Sequence, residues 1–334
     1  FLARWPARIR PGTTSDALIA HLDMAATFAA ITGARVPAGQ CRDSFNILPA
    51  MLGERTTAPV RPHFVAHNGG TEGPFALIAG LCGRTPQALA EARTARALGY
   101  HAGLLSLGAW TAPADTEKKI LAHCRAVARE IPLIGFYLQP AVGGRVFSYT
   151  FWRAFADIPE LVAIKIAPFN RYRTLDVIRA VLTAGRDDVA LYTGNDDNII
   201  GDLLTPFTFG GRTRYITGGL LGQWGVWTER AVALLTEVKR ARRRGSLPAA
   251  WLGRNAALTD ANAAIFDAAH GFAGCLPGIH EVLRRQGLFA TNACLDPHER
   301  LSPGQAREIT RVASAYPWLV DDAFVARHLD RWLA

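Results

Sequence analysis

Short apolar segments alternate with longer amphipathic ones between about residues 77 and 245 of the chain. The apolar segments are rich in Leu, Ile, Val and Phe and end at glycine, proline or polar residues, which predicts strands buried on both faces. Six strands are predicted, at residues 75–80, 101–107, 132–138, 161–166, 188–193 and 214–218. Repeated strand–helix units joined by short loops form a parallel sheet, which is either closed as a barrel or open and doubly wound.

Helical periodicity marks the segments between and after these strands. The predicted helices are residues 86–98, 115–129, 149–156, 173–184, 197–204 and 225–243, followed by 258–270, 277–287, 303–315 and 321–332. An eight-stranded barrel needs two strands more than the six found, and these would have to come from before residue 77. The pattern therefore predicts an α/β fold with about six βα units and a C-terminal helical extension, and it leaves the choice between an incomplete barrel and an open sheet undecided.

Residues 1–76 do not follow the alternating pattern. A strand over the first residues ends at Trp5-Pro6, a helix runs from Asp23 to Thr32, and a second strand lies near residues 63–67. These elements predict a small α+β segment, so three regions are expected: 1–76, 77–245 and 246–334. Because Phe1 falls inside a predicted strand, we also expect a further segment upstream of it.

Composition and charge narrow the classes of function. Hydrophobic residues make up 49% of the 334 residues and charged residues 19%, as in soluble globular proteins. The net charge of +9 favours anionic small molecules or acidic surfaces. The basic run at residues 239–244 ends a predicted helix, where cations suit the helix dipole, so we do not expect a nucleic-acid partner. No apolar run approaches membrane-spanning length, and the five cysteines without a CxxC pair indicate reduced thiols in a cytoplasmic protein.

One lysine interrupts an otherwise apolar strand, Leu161–Pro168. Lys165 is costly to desolvate, and burial would lower its pKa and make it a neutral amine nucleophile of the kind that forms Schiff bases. The alternative is an edge strand with Lys165 facing solvent.

Four predicted strands carry suggestive residues at their carboxyl ends, where parallel α/β proteins place their catalytic groups. These ends are Tyr137–Pro140, the strand of Lys165, Tyr192–Asp197 and Arg214–Gly219. A lysine and a phenol at one mouth suit imine chemistry, because the amine attacks a ketone while the phenol transfers protons. Glycines at the last two ends allow the backbone to approach a small substrate.

Residues 77–334 resemble the dihydrodipicolinate synthase / N-acetylneuraminate lyase family of class I aldolases. Four family motifs have counterparts here: YNxP is similar to Tyr137–Pro140, GIKEASG to Ala163–Pro168, SGDD to Thr193–Asp196, and GVIS to Tyr215–Thr217. Tyr137 and Lys165 are also 28 positions apart, which fits the family spacing. The resemblance implies a (β/α)8 TIM-barrel-type fold, incomplete here with about six βα units, in which Lys165 is the Schiff-base lysine and Tyr137 the proton-relay tyrosine. It also implies that Thr193, Gly194 and Ile216 bind substrate.

The same resemblance implies a 2-keto acid and an aldehyde as small-molecule partners and a homo-oligomer, a dimer or tetramer. No metal or cofactor is expected, because the covalent imine on Lys165 carries the chemistry.

The sequence also departs from that family. Its first two βα units are absent, including the GTTGE loop that holds the substrate carboxylate. Gly12-Thr13-Thr14 has the same first three residues as that loop, but it follows a turn proline, so we interpret the match as coincidence. The second family tyrosine falls near Gly108–Trp110, and the arginine that follows YNxP falls at Val142, with Arg145 displaced. We therefore expect a Schiff-base lyase or synthase that acts on a pyruvate-like 2-keto acid, and not a true dihydrodipicolinate synthase.

Residues 1–76 resemble the C-terminal part of a sulfatase, through Arg4-Trp5-Pro6, the Pro11-Gly12 turn and Asp43–Gly53. The segment carries no sulfatase chemistry, because Cys41 does not match C/S-x-P-x-R and His21, His63 and His67 match no ordinary metal spacing. Two alternatives to the lyase hypothesis therefore remain: a non-catalytic remnant or fusion product, and a C-terminal fragment of a sulfuric ester hydrolase.

Overall fold

The computed structural model describes residues 5, 7–9, 12, 24–35, 44, 46–54 and 76–333. The chain divides into two compact units, Phe1–Phe75 with Arg327–Ala334, and Ala76–Ala326. The first unit contains helix α1 (Met24–Thr32), which the sequence predicted, and the short helix α2 (Leu48–Met51). The strands predicted at the start of the chain and near residues 63–67 lie outside the described residues, as do Cys41, His21, His63 and His67.

The second unit is built on a parallel sheet of six strands. The strands are β1 (Ile78–Leu81), β2 (Ala102–Leu105), β3 (Leu133–Leu138), β4 (Leu161–Ala167), β5 (Ala190–Thr193) and, after a hairpin, β8 (Gly218–Gly219). They pair in the order β1-β2-β3-β4-β5-β8, and all five pairings are parallel. The prediction of an α/β fold with six parallel strands is confirmed.

Helices follow the strands as the sequence predicted. They are α3 (Thr85–Ala97), α4 (Glu117–Ala128), α5 (Tyr149–Ala156), α6 (Arg171–Thr183), α7 (Ile199–Leu204), α8 (Thr228–Ala241), α9 (Ala250–Ile265), α10 (Cys275–Arg285), α11 (Gln305–Ala315) and α12 (Asp322–Leu333). Side chains cap the first turns of α4, α5 and α6: Thr116, Ser148 and Asn170 each accept a hydrogen bond from a backbone N–H. These caps fix where the chain turns from a strand end into a helix.

Two predicted elements are wrong in their limits. The strand predicted at 214–218 overlaps only the ends of two shorter strands, β7 (Arg212–Arg214) and the two-residue β8. β7 instead forms an antiparallel hairpin with β6 (Phe207–Phe209) across the Gly210-Gly211 turn, where both glycines have positive φ. The helix predicted at 258–270 is α9, which begins eight residues earlier and ends at Ile265, because Asp267 adopts the left-handed conformation.

The two faces of the sheet carry separate apolar clusters, and alanines are frequent in one of them. The helix-facing side carries large residues that pack into the main core, among them Leu105, Leu133, Tyr137, Ile164, Ile166 and Leu191. The opposite face, called the inner face below, carries a smaller cluster formed by Ala102, Leu104, Ile134, Ala163, Ala190 and Tyr192. Small residues on the inner face leave room beside any long side chain that points into it.

A β-bulge in β4 sets which residues share a face. Leu133 pairs with Leu161, but the next residue, Ile134, pairs with Ala163, so Val162 is an extra residue in the ladder. Leu161 therefore packs in the helix-facing core while Ala163 lies on the inner face. From there the alternation places Lys165 on the inner face as well.

Arg186 anchors the start of this strand. Its guanidinium donates to the carbonyl oxygens of Ala156 (2.8 Å), Ile158 (2.7 Å) and Leu161 (2.9 Å), and it also pairs with Asp188. One side chain thus satisfies several carbonyl groups of the turn that leads into β4, next to the bulge.

We expect Gly135→Ala to destabilise the packing of α5 against β3. A Cβ at residue 135 would lie 2.7 Å from Cε1 of Phe155, a buried side chain with little room to move. The free energy of unfolding should fall by about 1–3 kcal/mol, measured by urea denaturation. Gly80→Ala is the matched control, because a Cβ there meets no atom within 4 Å. Equal losses for the two variants would contradict this packing.

Candidate functional site

A row of four residues crosses the inner face near the carboxyl ends of the strands. Phe136 of β3 is in register with Lys165 of β4, Lys165 with Tyr192 of β5, and Tyr192 with Gly218 of β8. Residues in register on neighbouring parallel strands point to the same side of the sheet. The lysine therefore lies between two aromatic side chains, on the face that carries the small residues.

Lys165 is held in partly apolar surroundings. Its Nζ lies 4.5 Å from the centre of the Phe136 ring, a cation–π distance. Burial lowers the pKa of Lys165 below its usual value, while the nearby Asp196 carboxylate acts in the opposite direction and is the weaker influence. Because β4 lies between β3 and β5, the alternative of a solvent-facing edge strand is wrong.

The other lysines of the chain have a different environment. The sequence contains four lysines, and Lys118, Lys119 and Lys239 are all exposed on helices α4 and α8. Lys165 is thus the one lysine that is not exposed at the surface, and burial lowers the pKa of its amine.

Gly194 lies directly against the lysine stem. A Cβ at this position would be 2.7 Å from Cβ of Ala167 and 3.1 Å from Cε of Lys165. Only glycine lets the backbone after β5 approach the lysine this closely. The structure therefore brings together Lys165 and Gly194, two of the residues predicted for the site.

Asp196 is a buried carboxyl group two residues further along the same turn. Its Oδ1 accepts a hydrogen bond from the backbone N–H of Gln223 at 3.0 Å. Burial raises the pKa of Asp196 to about 6, although the Lys165 ammonium opposes this rise. A carboxyl group with this pKa exchanges its proton near neutral pH.

Thr193 faces away from the lysine. Its hydroxyl donates to Oδ2 of the fully buried Asp202 at 2.5 Å, and the same oxygen accepts from Asn195 Nδ2 at 3.1 Å. Arg171 forms an ion pair with the other oxygen of Asp202. The Thr193 side chain therefore holds the turn that carries Gly194 and Asp196, and it does not line the inner face.

Helix α9 supports this turn from outside the sheet. Asn262 Nδ2 donates to the Asp196 carbonyl oxygen at 2.8 Å, and Thr259 Oγ1 donates to that of Asp197 at 2.8 Å. Asn255 accepts from the Gly201 amide at 2.9 Å. The spacing of these three polar residues, 255, 259 and 262, is a helical face visible in the sequence, but the predicted helix began too late to show it.

Tyr137 lies on the helix-facing side of the sheet, opposite to Lys165. It is fully buried, its ring centre is 4.8 Å from that of Trp152, and its hydroxyl accepts a hydrogen bond from the Phe147 amide at 3.3 Å. It is in register with Ile166, one residue past the lysine. The structure does not bring the predicted proton relay next to the predicted nucleophile. Tyr137 pairs with the residue after Lys165, and successive side chains of a strand point to opposite faces of the sheet.

Ile216 is also separate from the lysine. Its side chain is fully buried in the helix-facing core, and its carbonyl oxygen accepts from Arg242 Nη2 at 2.7 Å. The carbonyl oxygen of Ile216, a residue that the resemblance assigned to substrate binding, is thus occupied by the arginine that follows the last residue of α8.

Arg145 and Trp110, which stand near two positions where family residues are missing, belong to a separate cluster. Arg145 Nη1 donates to the carbonyl oxygens of Trp110 (3.1 Å) and Asp115 (2.6 Å). Arg84 forms an ion pair with the Asp115 carboxylate, and the Arg84 guanidinium lies 4.5 Å from the centre of the Trp110 ring. Both arginine side chains therefore hold loop residues in place.

Two general features of the described part of the chain bear on the class of site. Among those residues, no group of three or more His, Cys, Asp or Glu side chains is arranged to hold a metal ion. No helix in the same residues is both long and apolar enough to cross a membrane.

Comparison with known proteins places the fold. No family model and no curated protein matches the chain. Solved structures do match: dihydrodipicolinate synthase from Thermotoga maritima is 17% identical with a TM-score of 0.55, over 73% of this chain and 76% of that chain. The enzyme from Oceanobacillus iheyensis is 18% identical with a TM-score of 0.53, over 72% and 73%. N-acetylneuraminate lyase from Fusobacterium nucleatum, in complex with pyruvate, is 16% identical with a TM-score of 0.54, over 72% and 73%. At these identities the likeness is one of fold.

We expect Asp202→Asn to weaken the turn that carries Gly194 and Asp196. The substitution keeps the size of a fully buried side chain but removes the charge that Arg171 and Thr193 contact. The free energy of unfolding should fall by about 1–3 kcal/mol, measured by chemical denaturation with tryptophan fluorescence. Asp157→Asn breaks an exposed pair with Arg153 and should change it by less than about 1 kcal/mol. A smaller effect at Asp202 than at Asp157 would refute the role of this carboxylate.

Proposed function

We propose that this chain is a Schiff-base-forming lyase or synthase that acts on a pyruvate-like 2-keto acid through Lys165. The observation that carries the proposal is the position of Lys165: a lysine with a lowered pKa, on the inner face of a parallel sheet, close to the carboxyl ends of the strands. The likeness in fold to dihydrodipicolinate synthases, and to a lyase solved with pyruvate, supports the same chemistry.

The proposed reaction starts with the neutral amine. Lys165 Nζ forms a bond to the ketone carbon, the ketone oxygen takes up a proton, and loss of water leaves an iminium ion. Removal of a proton from the adjacent carbon then gives an enamine, which adds to an aldehyde; the reverse sequence cleaves the aldol. Gly194 lets the backbone after β5 lie directly against the lysine stem, so no side chain at that position pushes the stem aside.

The carbonyl partner is proposed to differ from that of a true dihydrodipicolinate synthase. Arg145, the arginine nearest to the position where such an enzyme grips its second substrate, donates to two backbone carbonyl groups instead. The two alternatives, a non-catalytic remnant and a sulfatase fragment, predict no covalent adduct with a keto acid. The sulfatase resemblance of residues 1–76 stays a prediction.

We expect pyruvate and sodium borohydride to label the protein on Lys165. Borohydride reduces the imine to a stable secondary amine, and peptide mass spectrometry locates it among the four lysines. Lys165→Arg should abolish the adduct, because a guanidinium does not form an imine at neutral pH. Lys239→Arg, at an exposed helix position, should leave it unchanged. The absence of an adduct on Lys165 in the unmodified protein would exclude the proposed function.

We expect Asp196→Asn to move the pH profile of trapping to lower pH. The Asp196 carboxylate raises the pKa of Lys165, so its removal leaves the burial effect unopposed and lowers that pKa further. The neutral amine then persists to lower pH, and the acidic limb of the trapping rate shifts downward.

The control for this experiment is Asp197→Asn. Asp197 is adjacent but exposed, and it is not among the charges that act on Lys165. Its profile should follow that of the unmodified protein, measured as the rate of cyanoborohydride trapping between pH 5 and pH 9. A shift to higher pH in Asp196→Asn would contradict the assigned interaction.

A further inference from the structure

The inner face of the sheet carries one phenol. The chain has seven tyrosines, all within the described residues, and Tyr192 is the one that packs in the inner-face cluster. The others pack in or against the helix-facing core, hydrogen-bond elsewhere, stack on an arginine or face solvent: Tyr100, Tyr137, Tyr149, Tyr172, Tyr215 and Tyr316. Only Tyr192 therefore shares a face with Lys165.

Register makes the two residues neighbours. Tyr192 is the direct partner of Lys165 across the β4–β5 pairing, and adjacent strands lie about 4.8 Å apart. On the other side of the lysine the direct partner is Phe136, which has no proton to transfer. Of the two ring-bearing register partners of Lys165, Tyr192 is thus the one with a dissociable hydroxyl.

The Tyr192 hydroxyl is also unengaged. Within the described residues it makes no hydrogen bond, and the Tyr192 ring is partly exposed. The ring lies beside Gly218: a Cβ built on that glycine would be 3.6 Å from Cε1 of Tyr192. Tyr137, by contrast, has its hydroxyl fixed on the Phe147 amide and a pKa raised by burial. A partly solvated phenol without a fixed partner is suited to exchange protons with a substrate.

From these observations we propose that Tyr192, and not Tyr137, is the proton-transfer residue for the imine chemistry of Lys165. The inference rests on the proposed function. The Tyr192 phenol donates its proton to the carbinolamine hydroxyl, which leaves as water while the nitrogen lone pair forms the C=N bond of the iminium ion. The resulting phenolate removes a proton from the adjacent methyl carbon, which gives the enamine and restores the phenol. The sum is one amine and one ketone converted to one enamine and one water.

The test compares Tyr192→Phe with Tyr137→Phe, a matched pair in which each variant loses one hydroxyl. Exchange of the pyruvate methyl protons in D2O, followed by NMR, measures proton transfer, and exhaustive borohydride trapping measures whether Lys165 still reacts. Tyr192→Phe should lower the exchange rate by about 100-fold while still reaching full trapping at long times. Tyr137→Phe should exchange at the rate of the unmodified protein. Thermal melting establishes that both variants are folded, and Tyr192→His, which keeps a dissociable proton, should recover part of the rate.

The outcomes separate the two proposals. If the unmodified protein neither traps nor exchanges pyruvate, the proposed function fails, and this inference with it. If it traps pyruvate but Tyr192→Phe exchanges at the unmodified rate, the assignment of Tyr192 is overturned while the function of Lys165 stands. A slow Tyr137→Phe beside an unaffected Tyr192→Phe would also overturn it, and would restore the assignment made from the sequence motif.

Discussion

The register between β3 and β4 determines which side chains meet at the candidate site. One extra residue, Val162, shifts the alternation so that Lys165 leaves the helix-facing core and enters the inner face. Without that bulge the ammonium would lie among Ile, Leu and aromatic side chains, where its desolvation would have no compensation. With it, the lysine is partly buried and contacts the Phe136 ring; burial lowers its pKa, and the Asp196 carboxylate opposes that shift.

The elements of the second unit were predictable because they follow simple physical patterns. Apolar β-branched runs such as Leu161–Ala167 form strands buried on both faces, and capping residues such as Ser148 mark where helices begin. Lys165 stood out because a cation in an apolar strand is rare. Gly194 was predictable for a similar reason, since a glycine at a strand end indicates close backbone approach.

The faces of the strands were not predictable. The family resemblance suggested Tyr137 as the partner of Lys165, but a single bulged residue changes which face of the sheet the following side chains occupy. The bulge lies next to a carbonyl group that Arg186 holds from 25 residues further along the chain, a contact that exists only in the folded unit. Asp202 is a similar case. It is fully buried and organises Thr193 and Asn195, yet in the sequence it is one acidic residue in a short helix. Its role depends on a helix and a strand that meet only in the folded unit.

The basic residues of this chain are almost all arginine: 33 of the 37 lysine and arginine side chains. Guanidinium groups supply the ion pairs and carbonyl contacts of the helices, as Arg186 and Arg242 show, and they stay protonated and unreactive towards carbonyl compounds near neutral pH. An aldehyde or keto acid that reaches this protein therefore meets few competing amines. A surface poor in lysine would protect an enzyme of this proposed type against slow, non-productive modification by its own substrates.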